Sequence, residues 1–280
     1  MLPRLPSVLH LVPWVLGALV GLHLVGPAPV CAQLATSPSP SLSDETIPPR
    51  SSERILQRPS DASLHHVVGG DATLYRHTDT SLPMGTLPLR TPVQRLSCDG
   101  DWCRVRTDEQ QVGYVERTAI SNVWIRVSKR DRRLYLHRGM EQIAVFNADF
   151  GYNAFADKEK RGSEAERDHW RTPNGTFFVV RKNPNSTFHK ALVLNYPTAA
   201  DARRGRRQGL ISPSEHDAIV EAEANGTMPP MNTELGGWVE IHGDGTGAAT
   251  NWTQGCVAVT NREMNRLWWW VEVGTPVVIE

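Results

Sequence analysis

Short apolar segments separated by turn residues recur from residue 64 to the C-terminus, and this pattern restricts the fold more than any other feature of the sequence. Between residues 64 and 122 the segments are HVV, ATLY, PVQRL, WCRVR and VGYV, with turn residues such as those at 69–71 and 99–101 between them. Several short strands at this spacing predict a small antiparallel β-barrel. A β-rich extension that packs against the following domain is the alternative.

A longer β-rich unit occupies residues 123–280. Its predicted strands are WIRVS, RRLYLH, EQIAVFNADFG, TPNGTFFVVRK, ALVLNYP, WVEIHG and TPVVI. Two helices are predicted, at 213–224 and 261–270, the first with Ser212 as its N-cap. We expect loops at the charged run 157–168 and at the basic run 201–209. The fold class is therefore mainly β with a few helices.

The first 32 residues are predicted to be a signal peptide. Arg4 supplies a positive charge, residues 9–25 are almost wholly apolar, and the small residues up to Ala32 fit a cleavage site. Residues 33–63 are rich in Ser, Pro and Thr, which predicts a linker without a core of its own. An uncleaved membrane anchor is the alternative to cleavage. We expect an exported protein of the periplasm or cell envelope.

The charge balance does not point to nucleic acid or to an acidic membrane as a partner. Lys and Arg together number 30, as do Asp and Glu, so the formal net charge at pH 7 is zero. This balance gives no indication of bulk binding to nucleic acid. The histidines show no spacing typical of zinc ligands, and Cys98 and Cys103 lack a second ligand pair. We predict neither a metal nor a cofactor.

The cysteines fall into two groups. Cys31 would leave with the signal peptide. Cys98 and Cys103 lie in SCDGDWC, a hairpin-like stretch that can bring them within bonding distance, and export favours a disulfide there. Cys256 then remains as an unpaired thiol, which in an exported protein requires an explanation.

The chemically informative segment spans residues 241–260, IHGDGTGAATNWTQGCVAVT. It places His242 at the end of a strand, then a glycine-rich loop, then Cys256. A thiol attacks as the thiolate, and a neighbouring histidine both lowers the thiol pKa and accepts its proton. We predict acyl transfer through a thioester at Cys256, with His242 as general base. A buried structural cysteine is the alternative.

Residues near Cys256 are predicted to bind the oxyanion or the substrate. Because Gly255 has no Cβ, the backbone amides of Gln254, Gly255 and Cys256 are candidate donors to an oxyanion. Gly243 is expected to line the mouth of the site. The Thr253 hydroxyl either contacts the substrate or caps the turn.

The pattern IHG…WTQGCVAVT resembles the YkuD-type L,D-transpeptidase family, whose signature is His-Gly followed by Ser/Thr-x-Gly-Cys. DKEKRG and RTPNGTF are similar to that family's approach to its central strands, so the resemblance covers residues 123–280. GDWCRVR and VGYVERTAI resemble a bacterial SH3-like domain at 64–122. The resemblance implies an SH3-like β-barrel followed by a β-rich catalytic domain with His242 as base and Cys256 as nucleophile.

The resemblance also implies a substrate. The enzyme would attack the bond between the L-centre and D-Ala of a peptidoglycan tetrapeptide stem, and the amine of a second stem would resolve the thioester. LNYPTAADARRG resembles a sub-branch that detaches a lipoprotein from peptidoglycan, so a wall-linked lipoprotein is a second expected partner. The alternatives are an L,D-carboxypeptidase or hydrolase, a papain-like endopeptidase, which the order of His before Cys disfavours, and a wall-binding scaffold with an inactive catalytic domain.

Overall fold

The computed structural model describes residues 64–280. The chain divides into a unit of residues 1–50 and a unit of residues 51–280, and every described residue belongs to the second unit. The predicted signal peptide and linker lie outside the described residues. Within 64–280, no helix has the length and apolar character needed to cross a bilayer.

Seven short strands form the sheet of a small domain at the start of the described chain. They are β1 (Leu64–Val67), β2 (Ala72–Tyr75), β3 (Pro83–Leu87), β4 (Pro92–Asp99), β5 (Trp102–Thr107), β6 (Val112–Glu116) and β7 (Ile120–Ser121), with a 3-10 turn at Arg117–Ala119. All neighbours pair antiparallel, in the order β3-β2-β6-β5-β4-β1-β7. The antiparallel strands predicted for this part of the chain are confirmed.

Inward-facing residues of these strands build the core of the small domain. Its most buried members include Val67, Leu74, Val93, Val105 and Val115. Cys98 and Cys103 face each other across β4 and β5 and form a disulfide, as the hairpin-like sequence predicts. The disulfide closes the β4–β5 hairpin against this core, because Cys103 is itself a buried core residue.

A larger domain contains the remaining strands. They are β8 (Val123–Ser128), β9 (Arg133–Arg138), β10 (Glu141–Asn147), β11 (Phe150–Gly151), β12 (Gly175–Ser186), β13 (His189–Leu194), β14 (Glu240–His242), β15 (Asn251–Thr253), β16 (Val257–Ala258) and β17 (Pro276–Ile279). Eight of them form a mixed sheet in the order β10-β9-β8-β17-β12-β13-β14-β16, and β11 pairs with β15. The pairs β8–β17, β14–β16 and β11–β15 are parallel.

Three α-helices accompany this sheet, α1 (Ala199–Arg207), α2 (Pro213–Ala224) and α3 (Asn261–Trp270). Each begins with a capping box. The N-cap hydroxyl accepts a hydrogen bond from the backbone amide three residues later, and the acidic side chain of that later residue accepts one from the N-cap backbone amide. The predicted bounds of α2 and α3, and the Ser212 cap of α2, are confirmed.

The basic run 201–209 was predicted as a loop, and this prediction is wrong for most of the run. Thr198 and Asp201 form the capping box that starts α1, so residues 201–207 are helical. The arginines of the last turn lie at the negative end of the helix dipole, which favours the helix further. The charged run 157–168 also contains part of a 3-10 segment, Glu164–His169.

The small domain contacts the large one through polar groups. The Gly69 amide donates a hydrogen bond to the Val273 carbonyl at 2.8 Å. Arg90 donates to the Glu223 carbonyl at 3.1 Å, and its guanidinium carbon lies 3.9 Å from the centre of the Phe178 ring. The small domain therefore rests against α2 and β12 of the large domain.

Candidate active site

A cavity of about 680 Å³ in the large domain brings most of the predicted site residues together. Its lining includes His242, Thr253, Gln254, Gly255 and Cys256. Aromatic side chains and charged groups complete the wall: Trp170, Phe188, Trp238, Trp252, Lys158, Arg161 and Glu240. Gly243, which was predicted to line the mouth, is not one of the lining residues.

Strand pairing explains why two residues on either side of a long loop meet in one cavity. The last residue of β14, His242, is in register with Ala258 of β16, and these two strands are parallel. Cys256 directly precedes β16, so the intervening loop must return to the starting edge of β14. The pairing therefore places the thiol beside the strand that carries the imidazole.

The imidazole of His242 is buried, with 1% of its surface exposed. Its Nδ1 lies 2.7 Å from the Gly243 carbonyl oxygen, so Nδ1 carries the proton and donates it, leaving Nε2 as the acceptor. The ring stacks on Phe188 with centroids 4.4 Å apart. Burial lowers the His242 pKa, although the Gly243 carbonyl and two nearby aspartates oppose the shift. The imidazole is therefore neutral at pH 7 and suited to accept a proton.

A tight turn presents Cys256. The φ angle of Gly255 is +134°, a conformation that L side chains rarely adopt, and a Cβ there would lie 2.7 Å from the Arg171 carbonyl oxygen. The Thr253 hydroxyl donates to the Cys256 carbonyl at 2.7 Å and accepts the Gly255 amide at 3.2 Å. Of the two roles weighed for Thr253, the structure favours the turn cap.

These bonds change the list of candidate oxyanion donors. Since the Gly255 amide is already bonded to Thr253, it is not available to an oxyanion in this conformation. The Gly243 amide is also engaged, with the carbonyls of Phe188 and Lys190 each 3.1 Å away. The amides of Gln254 and Cys256 remain as candidates. Gly243 instead supplies the carbonyl that orients His242, and its backbone passes so close to Phe188 that a Cβ would lie 2.8 Å from the carbonyl oxygen of Phe188.

The Cys256 thiol is hydrogen-bonded in the resting site. Sγ donates to the carbonyl oxygen of Trp238 at 3.4 Å, and Trp238 itself has a left-handed backbone with φ of +52°. Burial raises the pKa of Cys256 to about 12, and the charge of Glu240 acts in the same direction. The expectation that the neighbouring histidine would hold the thiol pKa low is not met, because burial outweighs the groups that favour the thiolate.

Asp149 is a residue of the site that the sequence analysis missed. Its carboxylate accepts hydrogen bonds from the Thr246 amide (2.7 Å) and hydroxyl (2.9 Å), the Thr250 amide (2.8 Å) and the Trp252 indole (2.9 Å). Burial favours the neutral acid, but these bonds outweigh it and the Asp149 pKa lies below its usual value. One buried carboxylate thus organises the loop between His242 and Cys256. Its only sequence signal is an acidic residue inside the apolar segment AVFNADF.

Two charged residues of the cavity wall were also missed. Glu240 lies two positions before His242 on β14, and the period of a strand places both on one face. Burial raises the Glu240 pKa, with Arg181 opposing the shift. Lys158 is almost fully buried and belongs to the segment DKEKRG that the resemblance includes. The alternation of WVEIH predicts that Glu240 and His242 share one face of the strand. The place of Lys158 in the cavity wall is visible only in the folded structure.

The sequence model of the L,D-transpeptidase (YkuD) catalytic domain matches residues 122–279, and that of a bacterial SH3 domain matches residues 86–122. The first match covers more than half of the chain, so the protein belongs to the L,D-transpeptidase catalytic domain family. No curated protein matches the chain.

Solved structures similar to this chain include L,D-transpeptidases. An L,D-transpeptidase from Mycobacterium smegmatis shares 15% identity, with 85% of this chain and 88% of that chain covered and a TM-score of 0.33. The L,D-transpeptidase of Xylanimonas cellulosilytica shares 17% identity over 57% of this chain and 61% of its own, with a TM-score of 0.33. Bd1075 of Bdellovibrio bacteriovorus shares 22% identity over 57% and 48%, with a TM-score of 0.37. The chain thus spans less than two thirds of the last two proteins.

Proposed function

We propose that the protein is a cysteine-dependent L,D-transpeptidase that acts on the tetrapeptide stems of peptidoglycan. The observation that carries this proposal is the cavity in which the His242 imidazole and the Cys256 thiol meet. The family membership supports the class of reaction, since a thiol and a neutral histidine in one cavity can carry out acyl transfer.

In the proposed acylation, Nε2 of His242 removes the thiol proton while Sγ attacks the carbonyl carbon before D-Ala. The C–N bond to D-Ala then breaks, and its amine leaves with the proton held by His242. A thioester with Cys256 remains. Because the resting thiol has a pKa of about 12, proton removal and attack belong to the same step rather than to a preformed ion pair.

The tetrahedral intermediate carries a negative oxygen that needs donors. The amides of Gln254 and Cys256 are the proposed donors. Each such donor contributes about 3 kcal/mol to transition-state stabilisation. The aromatic walls formed by Trp238 and Trp252 line the same cavity and would exclude water from the thioester.

The second half of the reaction decides the product. An amine of a second peptide stem would attack the thioester and give a cross-link, with His242 accepting the amine proton. Water in its place would make the enzyme an L,D-carboxypeptidase or hydrolase. A stem linked to a lipoprotein would make it an enzyme that attaches or releases that lipoprotein. The predicted signal peptide and the SH3-like domain fit an exported enzyme that works at the wall.

The test is product analysis by mass spectrometry with the purified protein. Disaccharide-tetrapeptide and lipoprotein-bearing wall fragments are each incubated with the protein and with Cys256→Ala. We expect cross-linked dimers and free D-Ala, both absent from the variant. Trp269→Ala is the matched control, because this side chain is 85% exposed and lies outside the cavity.

Each outcome has a definite meaning for the proposal. Release of D-Ala or lipoprotein without dimers, again dependent on Cys256, would keep the nucleophile and replace transfer by hydrolysis. Identical products from the protein and from Cys256→Ala would contradict the enzymatic proposal and favour a wall-binding scaffold.

A further inference from the structure

Lys158 lies in the cavity wall, and the mechanism above gives it no role. Only 4% of its surface is exposed. Lysine is rarely buried to this extent, because its ammonium ion loses hydration inside a protein. Burial lowers the Lys158 pKa to about 8, and the negative charge that Cys256 can carry opposes this shift. A buried ammonium ion is tolerated when an anion is close to it.

The side chain of Lys158 occupies a slot behind the turn that carries the thiol. A Cβ on Gly255 would lie 3.4 Å from Nζ, and a Cβ on Gly236 would lie 3.0 Å from Cε. The bond from Nζ to the His169 carbonyl is long, at 3.5 Å. Two glycines thus make room for a cation beside the residue that precedes Cys256.

We propose that Lys158 is a positioning residue whose ammonium group stabilises the thiolate of Cys256 as acyl transfer begins. The proposal rests on the nucleophilic role proposed for Cys256. Opposite charges attract strongly across a low-dielectric interior, so a fixed cation lowers the free energy of the thiolate relative to the thiol. His242 still accepts the proton, and Lys158 stabilises the anion that is left.

Glu240 acts on the thiol in the opposite sense. Its carboxyl lines the same cavity, and its charge raises the thiol pKa, whereas the charge of Lys158 lowers that pKa. Arg161 and Arg171 lower the pKa of the lysine, since a further cation between them is disfavoured. The lysine and the glutamate therefore have opposite effects on the thiol pKa, and neutralising either one should have the reverse effect of neutralising the other.

The test measures the rate of Cys256 alkylation by iodoacetamide in the full chain without substrate. Lys158→Met keeps the side-chain length and removes the charge. We expect alkylation about tenfold slower at neutral pH, which corresponds to a rise of about one unit in the thiol pKa. Glu240→Gln should be faster than the unmodified protein. Lys160→Met is the matched control, since Lys160 binds Glu166 at 3.0 Å outside the cavity and its loss should leave the rate unchanged.

The unmodified protein offers a second readout that does not depend on a variant folding correctly. The logarithm of the alkylation rate should rise with pH and flatten near pH 8, where Lys158 loses its proton. Lys158→Met should rise without this inflection, because no charge is lost. A structural role alone would not produce an inflection in the parent protein.

The proposal would be overturned by an alkylation profile that is the same in the parent and in a folded Lys158→Met variant. If that variant also had a raised KM for peptide stems, Lys158 would be a substrate contact. Alkylation needs no substrate, so the two proposals can fail separately. If the protein showed no transpeptidation but Lys158→Met still shifted the alkylation profile, the proposed function would be rejected and the charge effect of Lys158 would stand.

Discussion

The two members of the candidate catalytic pair are held in different ways. His242 belongs to β14, whose backbone pairs with β13 on one side and β16 on the other, and its ring stacks on Phe188. Cys256 belongs to a turn that depends on the Thr253 hydroxyl and on the positive φ of Gly255. A sheet holds the candidate base, whereas a few local bonds hold the candidate nucleophile.

Because of this difference, substitutions at the two residues should affect activity and stability to different degrees. A change to the imidazole leaves the strand pairing intact, so it should alter catalysis with little effect on folding. A change to the turn alters the position of the thiol and the stability of the loop together. Variants at the His242 strand and variants at the Cys256 turn should therefore differ in the ratio of lost activity to lost stability.

The largest effect is expected from His242→Gln. Removing the general base should lower kcat by about 10²-fold to 10⁴-fold. Thermal unfolding should change little, because β14 retains its pairing. Stem turnover and melting temperature are the two measurements, with His216→Gln as control since His216 lies on α2 away from the cavity. If His242→Gln lowered the melting temperature as severely as it lowered activity, the distinction between the His242 strand and the Cys256 turn would be lost.

The base also sets a pH dependence. The His242 pKa is lowered by burial, so the imidazole remains neutral to a lower pH than an ordinary histidine. The acid limb of kcat/KM for the unmodified protein should therefore have its midpoint below pH 6.5. A midpoint above this value would require an environment that favours the imidazolium ion.

A smaller but still large effect is expected from Asp149→Asn, which weakens the loop between the two sides. The amide side chain presents a donor to groups that are themselves donors, so we expect destabilisation of about 3 kcal/mol. Because the folded pKa of Asp149 is below its usual value, its stabilising contribution is full above the unfolded pKa and is lost as pH falls through the folded one. The difference in unfolding free energy should accordingly be constant near neutrality and shrink below about pH 4.

Urea unfolding across this pH range is the measurement, and Asp131→Asn, at an exposed aspartate near Arg126, is the control. If the difference persisted undiminished in acid, the ionised form of Asp149 would not be the stabilising species.

The smallest effect is expected from Thr253→Val. The Gly255 amide and the Cys256 carbonyl would each lose a partner, which destabilises the protein by about 1 to 3 kcal/mol. Activity should fall by more than this stability loss explains, because the turn sets the thiol position. Thr253→Ser keeps the hydroxyl and should behave as the parent in melting and turnover. An inactive but fully stable Thr253→Ser would point to substrate contact instead.

Local patterns predicted much of the fold. Alternating segments such as ATLY and WCRVR became strands, and the Ser212 cap with its glutamate three residues later started α2 at the predicted position. The charge of the basic run 201–209 favours a loop, but the Thr198–Asp201 capping box makes most of the run helical. Structure that depends on residues close together in sequence, such as strands and helix caps, can therefore be predicted from the sequence.

The site was predictable only in part, for the same reason. His242 and Cys256 stand in a motif that can be read along the chain. Lys158 lies beside the turn that carries the thiol, in a slot between glycines that are distant in sequence. Asp149 bonds to loop residues about a hundred positions away. No local pattern encodes such contacts, and the raised thiol pKa follows from burial that only the folded chain reveals.

The hydrogen bond from the Cys256 thiol to the Trp238 carbonyl has a consequence for redox chemistry. Oxidants and disulfides react with thiolates, and a thiol with a pKa of about 12 presents almost none at neutral pH. Cys256 should therefore oxidise slowly under the conditions that close the Cys98–Cys103 bridge. One chain can thus hold a disulfide and an unpaired cysteine with little exchange between them, because the resting thiol is almost fully protonated at neutral pH.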